Sequence, residues 1–292
     1  VDIGGDKPIE HMTMGPQENP QLGLRAHRLY HYHPEILITQ LRAILRAARS
    51  HSRLRIMYPL IETVDQWRFV QELTDQAVSS LSEEGVDFCS EFEKGPLIET
   101  PIAAWRFDCL AAESDFVSVG TNDLVQYMFA VDRNDANVGY MYQPEHPAIL
   151  QMLKDLNEKA VAARKSLTIC GEIAGDVRML PLLVGLGVEN FSVNPSAVPI
   201  LQRALVAFDE DQVADLAQSC LDAEGVKEVK YLLDEKMGKT PSLTEERCEA
   251  RDPVCGMAVN PRTTPYFLET GGTQRYFCSR HCLEVFRERQ AD

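Results

Sequence analysis

Between residues 34 and 193 the chain repeats one pattern, a short and almost wholly apolar run alternating with a longer segment whose apolar residues recur at helical spacing. The runs Leu54–Ile61, Gly95–Glu99, Asp115–Val119, Leu167–Cys170 and Asn190–Val193 read as buried strands. The intervening segments Pro34–Ala48, Val64–Leu81, Ala103–Ala112, Ile149–Arg164 and Val177–Gly185 read as amphipathic helices, with Pro34 suited to a first helical turn. Strand then helix, repeated, requires parallel strands joined by crossovers. That leaves a barrel or an open doubly wound sheet.

Polar and charged residues follow the strands directly, as in Glu99-Thr100-Pro101, Gly120-Thr121-Asn122-Asp123 and Cys170-Gly171-Glu172. In a barrel these positions line the C-terminal mouth, where sites are built. Glu99 and Asp123 are carboxylates of the kind that Mg²⁺ takes as ligands, although both also suit the start of a helix as caps. Arg25 and Arg28, three apart after the turn at Asn19-Pro20, are spaced to share one helical face. That geometry fits a clamp on carboxylate or phosphate, or a solvated basic face. Arg133 is a third cationic candidate, on a loop. Cys170, at a strand end, is either a proton donor at the site or a small core residue. His27, His31, His33 and His51 cluster in sequence without a paired acid and receive no role.

The formal net charge is −15, and all of it falls on residues 1–247, because residues 248–292 balance six basic against six acidic side chains. A surface that acidic repels phosphate backbones and anionic headgroups, so neither nucleic acid nor membrane is expected as a partner. Residues 1–20 lack a signal-peptide pattern and no run approaches the roughly 18 apolar residues of a spanning helix, so the chain reads as cytoplasmic. The charge shift and the turn-forming residues after Met237 divide the chain into a first unit at 1–237, a linker at 238–247 and a tail at 248–292.

The tail holds Cys248, Cys255, Cys278 and Cys282. Cys255, Cys278 and Cys282 supply three thiolates for a tetrahedral site, with Cys248 or His281 available as a fourth ligand. A segment of this size buries little core, so a metal cross-link is physically motivated. The alternative is reduced thiols packed under Tyr276, Phe277 and Phe286.

Asp2-Ile3-Gly4-Gly5-Asp6-Lys7, the segment from Asn19-Pro20 to Arg28, Ile98-Glu99-Thr100-Pro101, Gly120-Thr121-Asn122-Asp123-Leu124, Val131-Asp132-Arg133, Tyr142-Gln143-Pro144 and Cys170-Gly171-Glu172-Ile173-Ala174-Gly175-Asp176 together resemble the C-terminal phosphoenolpyruvate (PEP)-binding barrel of the phosphotransferase-system Enzyme I family. The resemblance implies an α/β fold, a partial (β/α)8 TIM barrel holding about strands 3–8, with Val1-Asp2-Ile3 as the tail of a strand that starts upstream. It also implies that Glu99 and Asp123 hold Mg²⁺, that Arg25, Arg133 and Asn122 bind PEP, and that Cys170 protonates the enolate to give pyruvate. Arg133 is included with Cys170 among the catalytic residues. In the family two earlier strands, two further phosphate-binding Arg and a domain carrying the phosphorylated His precede the point where this chain starts. The chain alone is therefore expected to be inactive as a phosphotransferase. The family further implies an HPr-like phosphocarrier as partner and a homodimer formed through the barrel.

Asp252-Pro253-Val254-Cys255-Gly256-Met257 and Tyr276-Phe277-Cys278-Ser279, with Cys282 and Phe286, resemble a YHS domain, a small α+β cysteine-containing module. That resemblance implies a metal for which zinc or cuprous ion both suit. Two functions follow. One is transfer of a phosphoryl group from PEP to a protein histidine; the other is a metal-responsive binding protein whose barrel is inactive.

Overall fold

The computed structural model describes residues 2–4, 18–51, 53–237, 250–254, 258–259, 261, 264–270 and 273–289. Helix α1 (His27–Tyr30) and helix α2 (Pro34–Ala47) lead into strand β1 (Arg55–Tyr58), helix α3 (Val64–Glu83) and strand β2 (Glu93–Ile98). Helices α4 (Pro101–Trp105) and α5 (Phe107–Ala112), strand β3 (Phe116–Gly120), helix α6 (Thr121–Phe129), helix α7 (Pro147–Ala162) and strand β4 (Ser166–Cys170) follow. Helix α8 (Leu180–Gly185), strand β5 (Asn190–Phe191) and helices α9 (Val198–Val206), α10 (Glu210–Leu221) and α11 (Val226–Met237) complete the first unit.

The five strands are parallel and pair in chain order, β1 to β5. A doubly wound sheet reverses its order at a switch point, whereas a barrel never does, so the arrangement is the barrel's. Every residue of β3 is buried, as expected of a strand covered on both sides. The helices pack as successive neighbours, α2 on α3, α3 on α5, α5 on α7 and α7 on α10. Helix α3 shows why these segments are helical. Thr63 and Gln66 form a reciprocal capping box, and Trp67, Val70, Leu73, Thr74, Ala77 and Leu81 bury one face at spacings of three and four.

Three expectations change. The helix expected over Ala103–Ala112 is two, α4 and α5, divided at Arg106. Asp2–Gly4 is no strand; Gly4 makes a single isolated bridge to Arg25. Arg25 precedes α1 and therefore shares no helical face with Arg28.

In the tail, β6 (Ala250–Arg251) pairs antiparallel with β7 (Ala258–Val259), and β8 (Phe267–Thr270) with β9 (Thr273–Tyr276), ahead of helix α12 (Arg280–Arg289). Phe277, Cys282, Leu283 and Phe286 form its small core. Cys248, Cys255 and the expected linker at 238–247 lie outside the described residues.

Candidate active site at the strand ends

The carboxyl ends of β2, β3 and β4 bring Glu99, Asp123 and Cys170 to one end of the sheet. Neither carboxylate caps a helix. Thr100 caps α4 by accepting the Ala103 N–H, which leaves Glu99, 3% exposed, to accept the N–H of Leu60. Gly120, next along the sheet, leaves room for it: a Cβ there would lie 2.8 Å from Glu99 Oε2. Asp123 sits in the first turn of α6 and turns its carboxylate away from the helix backbone. Arg25 Nη2 donates to its Oδ2 at 2.8 Å, and Arg133 Nη1 to its Oδ1 at 2.6 Å.

Arg25 is itself held by a fork on Asp2, from Nε to Oδ1 at 2.8 Å and from Nη2 to Oδ2 at 2.7 Å, while Nη1 donates to Gln21 Oε1. Arg28 turns elsewhere, to the carbonyls of Leu22 and Gly23 and to Glu62, so the expected pair of arginines is not a shared clamp. Arg133 stands on the loop after α6, positioned by its own N–H on Gln126 Oε1.

The electrostatics follow from burial and partners. Burial and the charges of Asp123 and Asp2 push Glu99 up to about 8, while Arg25 and Arg133 offset the burial of Asp123 and hold it below the ordinary range. Burial, with the carboxylates of Glu99 and Asp123 beside it, pushes the Cys170 thiol up to about 12. The thiol therefore keeps its proton near neutral pH, donating it to the Val119 carbonyl at 3.2 Å. Two buried hard oxygen donors, one of them without an ion-pair partner among the described residues, fit a divalent ion such as Mg²⁺.

The turn after β4 is fixed around Gly171, whose φ of +102° is costly for any other residue. A Cβ there would meet Thr121 Oγ1 at 2.3 Å and Asn122 Oδ1 at 2.8 Å. Thr121 donates to the Cys170 carbonyl, and Asn122 Oδ1 accepts the Glu172 N–H, so α6 and the Cys170 turn are one assembly.

A family profile described as PEP-utilising enzyme, PEP-binding domain, matches residues 1–209. The chain belongs to the PEP-utilising enzymes. Phosphoenolpyruvate-protein phosphotransferases of Staphylococcus carnosus (strain TM300) and Listeria monocytogenes serovar 1/2a are each 38% identical to it, over 235 and 234 residues, 80% of this chain and 41% of theirs. The chain thus spans about two fifths of the length of these relatives. A solved citrate lyase from Burkholderia xenovorans LB400 covers 87% of this chain and 68% of its own at 17% identity and a TM-score of 0.43, a likeness too slight to build on. No helix among the described residues is long and apolar enough to cross a membrane.

Residues 250–292 match the YHS domain. Cys278, just before α12, and Cys282, in its first turn, lie with their sulfurs 3.6 Å apart. With Asp252 they form the one group of three metal-type donors among the described residues, every donor atom within 4.8 Å of the others. His281 is exposed and outside that group.

Glu99, Asp123, Arg25, Arg133, Asn122 and Cys170, all singled out in the sequence, lie at one end of the sheet. Asp2, Gln21 and Asp252 were named there only inside motifs, with no role, and the Leu60 N–H was not named. Asp2 and Asp252 are carboxylates beside other singled-out residues, which is the signal that was there to use.

Proposed function

We propose that this chain supplies the Mg²⁺-dependent PEP-binding part of an Enzyme I-type phosphotransferase, which moves the phosphoryl group of PEP onto a protein histidine and then to an HPr-like carrier. The observation that carries this reading is the buried set at the strand ends, where Asp123 is held between Arg25 and Arg133 beside Glu99 and the protonated Cys170.

In this reading Glu99 and Asp123 hold Mg²⁺, which when bound supplies positive charge to the phosphoryl oxygens. Arg133 and Arg25 bind the phosphoryl and carboxylate groups, and Asn122 contacts the substrate. Arg25 is engaged by Asp2, so Asp2 yields its place on the guanidinium when a substrate anion arrives. The phosphorus–oxygen bond of PEP breaks as a phosphorus–nitrogen bond forms on the acceptor histidine. The enolate left behind takes the Cys170 proton at carbon and departs as pyruvate. Residues 1–237 form the barrel part, 238–247 a linker and 248–292 a tail module that holds zinc or cuprous ion through Cys255, Cys278 and Cys282. The protein is cytoplasmic and a homodimer through its barrel, with neither nucleic acid nor membrane as partner.

The intact acid, cations and carboxylates favour this over a metal-responsive protein with an inactive barrel. In the protein turning over PEP, Cys170→Ala should slow pyruvate release by about a hundredfold or more while PEP affinity changes little. A wild-type rate would remove Cys170 from the mechanism. An equal loss of binding would make it a structural thiol.

A further inference from the structure

Two thiols of the tail, those of Cys278 and Cys282, converge on a carboxylate. Asp252 is 2% exposed, and its Oδ1 accepts the Val254 N–H at 2.8 Å while its Oδ2 accepts the Cys278 N–H at 2.7 Å. The sulfurs of Cys278 and Cys282 lie within 4.8 Å of a carboxylate oxygen of Asp252 and 3.6 Å from each other. A carboxylate offers about four lone-pair directions, and the two backbone N–H groups take one on each oxygen. The thiol protons are the ones a metal displaces from cysteine. Their departure leaves a carboxylate oxygen and two thiolates within 4.8 Å of one another.

We propose that Asp252 is an oxygen ligand of the tail module and selects zinc over cuprous copper. This rests on the reading above that Cys278 and Cys282 hold a metal. Cuprous ion is soft and gains little from a carboxylate, whereas Zn²⁺ accepts sulfur and oxygen donors alike, so a mixed set favours the divalent ion. The two backbone hydrogen bonds fix the carboxylate before any metal arrives, and no rearrangement of the Asp252–Val254 turn is needed for it to bind.

The test uses the full chain under reducing conditions. Co²⁺ is titrated as a probe, because its sulfur charge-transfer band reports thiolate ligation alone and ignores carboxylate sites elsewhere. Zn²⁺ affinity is then read from displacement of Co²⁺, and Cu⁺ affinity from competition with a chromogenic chelator. Asp252→Asn is expected to weaken Zn²⁺ by about tenfold or more while leaving Cu⁺ within about threefold. Unchanged Zn²⁺ affinity, or equal loss of both ions, overturns the assignment and leaves Asp252 as a brace for the turn. X-ray absorption at the zinc edge of the unaltered chain stands apart from any folding defect of the variant. An oxygen scatterer beside the sulfurs is expected, and an all-sulfur shell overturns the proposal. A chain that takes up neither ion, with no charge-transfer band, instead overturns the underlying metal reading.

Discussion

Arg25 and Asp123 meet at 2.8 Å where neither side chain exposes more than 6% of its surface. A pair this deep is held by the company around it. Asp2 takes two further N–H groups of the guanidinium, and Arg133 takes the other Asp123 oxygen, so each charge is matched more than once. Removing the arginine leaves Asp2 and Asp123 facing Glu99 with one guanidinium fewer. Arg25→Met should therefore cost about 3–5 kcal/mol in urea unfolding. Stability equal to the parent chain would show that the ion pair contributes nothing net.

Gly171 links Cys170 to the start of α6. Its φ of +102° and the 2.3 Å approach of any Cβ to Thr121 Oγ1 leave no room for a side chain. Gly171→Ala is expected to destabilise the fold by about 2 kcal/mol or more and to weaken PEP binding with it, because Asn122 and Cys170 move when the turn moves. Thermal unfolding and a PEP titration on the same sample check both. An unperturbed variant would mean that the turn relaxes freely.

His27 gives the fold an acid sensitivity. It is 2% exposed, its Nδ1 has no hydrogen-bond partner among the described residues, and burial pushes the imidazole down to about 4 from its ordinary 6.5. A depressed folded value means that stability is fully present above about pH 6.5 and falls as the pH drops toward 4, by about 3 kcal/mol from this group. Urea unfolding from pH 7 to 4 should show this slope, and His27→Phe should flatten it. The same slope in the variant would assign the loss to other groups.

Much of this fold is legible because parallel strands buried on both faces carry continuous apolar runs. All five lie within a few residues of where the runs place them. The break at Arg106 was not legible, since the apolar spacing runs unbroken from Ala103 to Leu110. Arg25 and Arg28 show a second limit. Their spacing suggests one face, yet the bridge of Gly4 to Arg25 and the fork on Asp2 hold Arg25 out of the helix, and both contacts join residues more than 20 apart. Asp252 was hidden for another reason. Cysteine spacing announces a metal site, whereas a lone carboxylate joins one only when the chain folds back 26 residues to set the Cys278 N–H on it.

The most direct test of the account is calorimetric titration of the protein with PEP, with and without Mg²⁺, for the parent and for Glu99→Gln and Asp123→Asn. PEP binding is expected to depend on Mg²⁺ and to be weakened by about tenfold or more in each variant, since losing one of two anionic ligands leaves the ion mostly water-held. PEP binding that ignores Mg²⁺, or equal affinity in all three proteins, would contradict it and leave the two carboxylates as structural partners of Leu60, Arg25 and Arg133.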